Sequence, residues 1–152
     1  MEASHSRGLN PPVYFLGGLI AEVLLAAAFS HHTFTGMYVQ IIGALSILVG
    51  IGLNIRGSGQ FERVGTPIRP GSTGGILVTD GVFRFCRNPM YLGMGLVLLG
   101  LALFLGSAIA LIVIPIFVVL IDRRFVLMEE RILEEEFGKD YRKYCDEVRR
   151  WV

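Results

Sequence analysis

The sequence predicts an all-α fold, a polytopic membrane helical bundle with four transmembrane helices and an amphipathic helical segment after them on the cytoplasmic side. Three observations predict it. Of 152 residues, 53% are hydrophobic with 19 glycines counted apart, and mean hydropathy is +0.58; one soluble core of this size hardly buries so much apolar surface. Two apolar runs, 13–29 and 37–55, precede a stretch, 91–121, that carries no charge over 31 residues. All 14 Lys and Arg fall within 1–12, 56–88 and 122–152.

Residues 1–12 are polar and end in Asn10-Pro11-Pro12, which stops any earlier helix. The run 13–29, broken only by Glu22, reads as the first span. A signal peptide is the competing reading, with Arg7 before the apolar run and Ala26-Ala27-Ala28 as a cleavage site; an acid inside the apolar region argues against it. Residues 30–36 form a polar turn. Its His31 and His32 have no further ligands in range, so no metal site is predicted. The run 37–55 has spanning length. Residues 56–88 then hold Arg56, Arg63, Arg69, Arg84 and Arg87 among scattered Gly and Pro, a cytoplasmic loop. Within it, Thr79-Asp80-Gly81 between Ile76-Leu77-Val78 and Val82-Phe83 predicts a small hairpin or tight loop.

As one straight helix, 91–121 would rise about 46 Å, against a hydrocarbon core of roughly 30 Å. Gly106-Ser107 near its middle divides it into two spans, 90–106 and 108–127, in a tight hairpin, and Pro115 is a candidate kink in the second. Gly93, Gly100 and Ser107 share one spacing, which Gly43 and Gly50 repeat; small residues so placed predict close helix packing. Beyond Asp122 the chain turns charged and helical, with helices over 128–152. Tyr141, Tyr144, Val148 and Trp151 make an apolar stripe that rests on the headgroup region or on the cytoplasmic loop. Phe137-Gly138 marks a break between two helical pieces, and Glu135 and Lys139 are placed to pair across one turn.

With four spans, the three basic segments share one side and the uncharged turns 30–36 and 106–107 lie on the other. The positive-inside rule puts both ends of the chain and the loop in the cytoplasm. Three or five spans would split the charges. A net charge of +1 provides no field to gather nucleic acid. Cys86 and Cys145 match no metal or redox spacing and read as reduced, structural thiols.

Three features point to chemistry. Arg87-Asn88-Pro89-Met90-Tyr91 opens the third span. Asn suits an N-cap and Pro the first helical position, so a plain helix start at the membrane surface explains it; an anion site, with free N–H groups and Arg87, explains it equally. Glu129-Glu130 follows the uncharged stretch 91–121 by about two turns. Glu129 shares a face with Leu133 and Phe137 and so points inward, whereas a solvated acidic run continuing into Glu134-Glu135-Glu136 is the plainer reading. Glu22 lies at membrane depth, where an acid costs at least about 2.5 kcal/mol unless paired or hydrated. It is either a candidate substrate contact or a protonated group bonded to a neighbouring helix.

From Phe61 onward the chain resembles the isoprenylcysteine carboxyl methyltransferase family and the related phospholipid methyltransferases. The resemblance rests on Gly65-Thr66-Pro67-Ile68-Arg69-Pro70, Leu77-Val78-Thr79-Asp80-Gly81-Val82-Phe83-Arg84, Arg87-Asn88-Pro89-Met90-Tyr91-Leu92-Gly93, Glu129-Glu130-Arg131 and Phe137-Gly138-Lys139-Asp140-Tyr141-Arg142-Lys143-Tyr144. Their order and spacing around the uncharged hairpin carry it, rather than any single piece. It implies a membrane-embedded enzyme using S-adenosylmethionine in a cytoplasm-facing pocket roofed by the C-terminal segment. By motif, Arg87, Asn88, Pro89 and Tyr91 would line the cofactor site. Glu129 and Glu130 would stand near the cofactor or the transferred methyl, and Arg87, Glu129 and Glu130 would be the catalytic groups. Two departures stand out: Asn88 replaces the His usual in the carboxyl methyltransferases, and only two spans precede the motif region. Both favour the small microbial relatives over enzymes acting on prenylated proteins.

The expected activity is methyl transfer to an O, N or S atom of a lipophilic acceptor, with the cofactor entering from the cytoplasm and the acceptor from the bilayer. A non-catalytic lipid-binding or partner-stabilising subunit explains the spans equally well, but not the gathering of Arg87, Tyr91 and Glu129-Glu130 on one face. A membrane reductase using a nicotinamide cofactor would need more room than the short loops offer.

Overall fold

A computed structural model of the chain describes residues 10–29, 34, 36–65 and 75–152; His31, His32 and residues 66–70 of the loop motif lie outside them. The described residues are all-helical, with no β-strand among them. The helices are α1 (Pro11–Ala28), α2 (Met37–Val64), α3 (Pro89–Leu105), α4 (Val113–Ile121), α5 (Leu127–Phe137) and α6 (Lys139–Glu147). Among the described residues, α1 and α2 are long and apolar enough to cross a membrane, and α3 is apolar but shorter.

Helix α1 begins on its two prolines, where a missing N–H costs nothing. Helix α2 runs past the predicted boundary at 55 as far as Val64, where Gly65 turns left-handed at φ 66°. Arg56, Gln60, Glu62 and Arg63 are good helix formers, so the charged segment starts as helix and not as the expected loop. Of the small hairpin or tight loop expected at Thr79-Asp80-Gly81, the tight loop forms and the hairpin does not. Gly81 turns the chain at φ 63°, and Gly81–Arg84 is a single 3-10 turn. Phe83 is buried there, edge-on to Phe61 of α2 at 5.4 Å, and that packing takes the place of a second strand.

The seam between α2 and α3 follows the glycine spacing. A Cβ added to Gly43 would stand 2.7 Å from the Gly100 carbonyl oxygen, and one added to Gly50 2.5 Å from that of Gly93. The two backbones touch, and Ser46 Oγ donates to the Leu96 carbonyl across the seam at 2.8 Å. Gly106 closes α3 at φ 64°; its N–H bonds the Leu103 carbonyl and the Ser107 N–H that of Ala102, each at 3.1 Å, a Schellman end. The Phe34 N–H donates to the Gly106 carbonyl at 2.7 Å, which ties Phe34 to the end of α3.

The next helical rod is irregular twice. Pro115 cannot donate to the Leu111 carbonyl, and the turn before α4 tightens to 3-10 over Ala110–Ile112. At the other end, Asp122–Val126 forms one π turn between α4 and α5. Its consequence is a change of face. Phe117 and Ile121 are one α-turn apart, but Ile121 and Val126 are five residues apart and would point about 140° away from each other on a regular helix. The π turn takes up the extra residue, so Ile121 and Val126 join Leu98 and Phe117 in one buried cluster. Glu129 and Glu130, one turn beyond Val126, inherit the inward face.

Helix α5 stops at Gly138, φ 53°, the break expected at Phe137-Gly138. That break separates Glu135 from Lys139, and no ion pair joins them among the described residues; Glu134 pairs instead with Arg142 at 3.2 Å. Tyr141, Tyr144 and Val148 are buried against Leu77 of the loop and Leu133 and Phe137 of α5. Trp151 packs on the bundle cluster of Leu98, Phe117, Ile121 and Val126.

Candidate functional site

The start of α3, the inner face of α5 and the extended residues after α6 converge at the charged end of the bundle. Pro89 is the first residue of α3 and is buried. Asn88 precedes it without capping it; its side-chain amide donates instead to the Arg150 carbonyl at 3.1 Å. The first turn of α5 brings the acids to this point. Tyr91 Oη donates to Glu129 Oε1 at 2.7 Å, and Arg87 Nη2 lies 3.4 Å from Glu130 Oε1 with both side chains largely buried. Arg87 Nη1 also reaches the Cys145 sulfur.

Arg150 is the residue that sequence reasoning missed. Its guanidinium grips Glu130 with both prongs, Nε to Oε1 at 3.0 Å and Nη2 to Oε2 at 2.6 Å, and its remaining nitrogen is 3.6 Å from Asp122. Hydrogen bonding to Glu130 chiefly raises the Arg150 pKa above its usual value. Residue spacing carries no trace of a pairing across 20 positions; the one hint is Trp151 next door, which continues the buried stripe.

Burial pushes the Glu129 carboxyl above the usual carboxylate range, and the Tyr91 hydroxyl pulls it partly back. Between the unfolded value, about 4.3, and that raised folded value, the unfolded chain has lost a proton that the folded protein keeps. Stability therefore falls as pH rises through this window and stays lowered above it. Glu129→Gln keeps an acceptor for Tyr91 but cannot ionise. Its melting temperature in detergent is expected to exceed wild type at pH 8, with the advantage shrinking toward pH 4. A difference that does not change with pH would contradict a buried, titrating Glu129.

Glu22 stands apart from this cluster. It is 0% exposed, and neither carboxyl oxygen has a hydrogen-bond partner among the described residues. Going up α1, Tyr14 meets Phe125, Phe15 meets Phe117 and Gly18 meets Leu98 and Val113, so Glu22 lies one turn further toward the uncharged end. That is roughly 16 Å from the level of Tyr91, at 1.5 Å per residue of α3. An open cleft lined by Thr79, Asp80, Arg84, Tyr144, Glu147 and Val148 shares no residue with the Arg87–Glu130 cluster.

The fold and the site together define a helical membrane protein with one polar cluster at the charged end of its bundle. The chain belongs to the phospholipid methyltransferase family, whose model matches residues 38–140. Arg87, Asn88, Pro89, Tyr91, Glu129 and Glu130 lie inside the matched stretch; Glu22, Arg150 and Trp151 lie outside it. An uncharacterized protein of Haemophilus influenzae is 41% identical over 63 residues, which are 41% of this chain and all of that protein.

Proposed function

We propose that the protein transfers a methyl group from S-adenosylmethionine to an O, N or S atom of a lipophilic acceptor, at the cytoplasmic face of a bilayer that it crosses four times. The observation that carries this reading is the convergence of Arg87 and Glu130 with the Tyr91–Glu129 pair at the basic end of the bundle. The orientation rests on the positive-inside distribution of the 14 Lys and Arg. The third and fourth spans are α3 and the rod that contains α4.

The donor set fits a molecule with a carboxylate, an ammonium and a sulfonium. Arg87 Nε is buried without a hydrogen-bond partner among the described residues, so the guanidinium has donor capacity left for a carboxylate. Glu130 offers a counter-charge for an ammonium, and the first N–H groups of α3 after Pro89, which have no intrahelical acceptor, add backbone donors. When bound, the cofactor supplies an already activated methyl group, so the protein needs to align, desolvate and manage a proton. Tyr91 fixes Glu129 by its hydrogen bond. With its carboxyl held above the usual range, Glu129 is the group suited to take the proton an acceptor loses. Glu22, so far from this end, would meet only the apolar part of an acceptor that extends along the bundle.

The test is transfer of tritium from methyl-labelled S-adenosylmethionine into material extractable by organic solvent, using vesicles that contain the protein. Label in the lipid phase from inverted vesicles, and its loss in Glu129→Ala, is expected. Label confined to the aqueous phase would overturn the lipophilic acceptor. A non-catalytic lipid-binding subunit would give no transfer.

A further inference from the structure

We propose that residues 149–151 form a displaceable latch over this site, with Arg150 holding it shut on Glu130 until the ammonium of an entering ligand takes that carboxylate. The proposal rests on the donor-site reading above and adds how the site is entered.

After α6 the chain leaves the helix at Val148 in extended conformation, φ −125° and ψ 130°. It then crosses the start of α3. The Arg149 carbonyl accepts the Arg87 N–H at 3.0 Å. The Arg150 carbonyl accepts the Asn88 side-chain amide at 3.1 Å and the Cys86 thiol at 3.5 Å. The Arg150 side chain closes the fork on Glu130, and Trp151 anchors the strap on the bundle cluster. With the strap down, Asn88 and Glu130 are both engaged by it. A guanidinium on a carboxylate occupies the place that a ligand's ammonium needs.

The strap has no regular secondary structure. Its main clasp is partly open to solvent, with the Arg150 side chain 35% exposed, so a competing cation can reach it. Arg150 and Trp151 lie beyond the stretch that matches the family. A fixed buttress would use the same contacts, and the two differ in what removing the clasp does. Without Arg150 a latch opens and ligand enters faster; a buttress or a ligand-binding arginine weakens binding instead.

Trp151 is the sole tryptophan of the chain, so its fluorescence reports the strap directly. Acrylamide quenching of detergent-purified protein without ligand is expected to be about twofold greater in Arg150→Ala than in wild type. Arg150→Lys, which keeps the charge but not the fork, is expected to lie between them. In stopped flow, S-adenosylhomocysteine is expected to associate about tenfold faster with Arg150→Ala, a lowering of about 1.4 kcal/mol in the entry barrier. In wild type it is expected to raise Trp151 quenching, whereas methylthioadenosine, which lacks the ammonium and carboxylate, leaves it unchanged. Equal quenching in wild type and Arg150→Ala, or slower association in the variant, would overturn the latch. Greater quenching in the variant with no binding by either protein would uphold a strap clasped by Arg150 and remove the donor assigned to the site.

Discussion

Replacing Arg87 with alanine is expected to weaken S-adenosylmethionine binding about ten- to hundredfold, the loss of one buried hydrogen bond to a charged group, roughly 1.5–3 kcal/mol. The arginine side chain is only 14% exposed, so water does not readily replace it. Glu130 keeps both prongs of Arg150 in the variant, so no buried carboxylate is orphaned and the fold survives. Arg87→Lys is expected to recover part of the affinity, because charge without a planar fork satisfies one oxygen at a time. Equilibrium dialysis with labelled cofactor checks both. Wild-type affinity in Arg87→Ala would take this residue out of the site.

The second large effect lies in the α2–α3 seam. A Cβ on Gly100 would stand 2.5 Å from the Gly43 carbonyl oxygen and 2.8 Å from the Ile47 backbone nitrogen. Both are backbone atoms that cannot step aside, so Gly100→Val must push the helices apart. Overpacking of this kind costs about 1–3 kcal/mol or more. In lipid, where packing and not water exclusion holds helices together, the lost contacts are hard to regain elsewhere. Thermal unfolding in detergent is expected to show a large drop in midpoint. Gly95→Ala is the matched control, since a Cβ there meets nothing within 4 Å; it is expected to leave the midpoint unchanged or raise it slightly through helix propensity. Equal stability of Gly100→Val and wild type would contradict the seam.

Periodicity and local backbone requirements were the legible part of the fold. The spacing of Gly43, Gly50, Gly93 and Gly100 announced a close helix contact, and the structure puts backbone against backbone at those residues. Gly106 and Gly138 marked helix ends because both take positive φ. Asp80-Gly81 marked a turn but not the packing of the residues beyond it; Phe83 finds its partner in α2, remote in sequence, and a propensity rule cannot see that contact. Charge marks a membrane boundary and not the end of a helix, so α2 continues as helix beyond the apolar run 37–55 to Val64.

The candidate site was legible in its parts only. Tyr91 and Glu129 meet across 38 residues, and resemblance to a family, not spacing, brought them together. The π turn that turns Glu129 and Glu130 inward leaves no signature in the hydrophobic pattern, since one extra residue reads as ordinary drift. Arg150 was hidden for a similar reason: an arginine in a charged tail looks solvated until the carboxylate it grips is seen.

The measurement that tests the central claim most directly is calorimetric titration of detergent-purified, folded wild-type protein with S-adenosylmethionine and S-adenosylhomocysteine. The predicted result is one site per chain with micromolar affinity for both, near −8 kcal/mol. Absence of binding heat for either ligand up to millimolar concentration, with acceptor lipid present or absent, would contradict a methyl-donor site at Arg87 and Glu130.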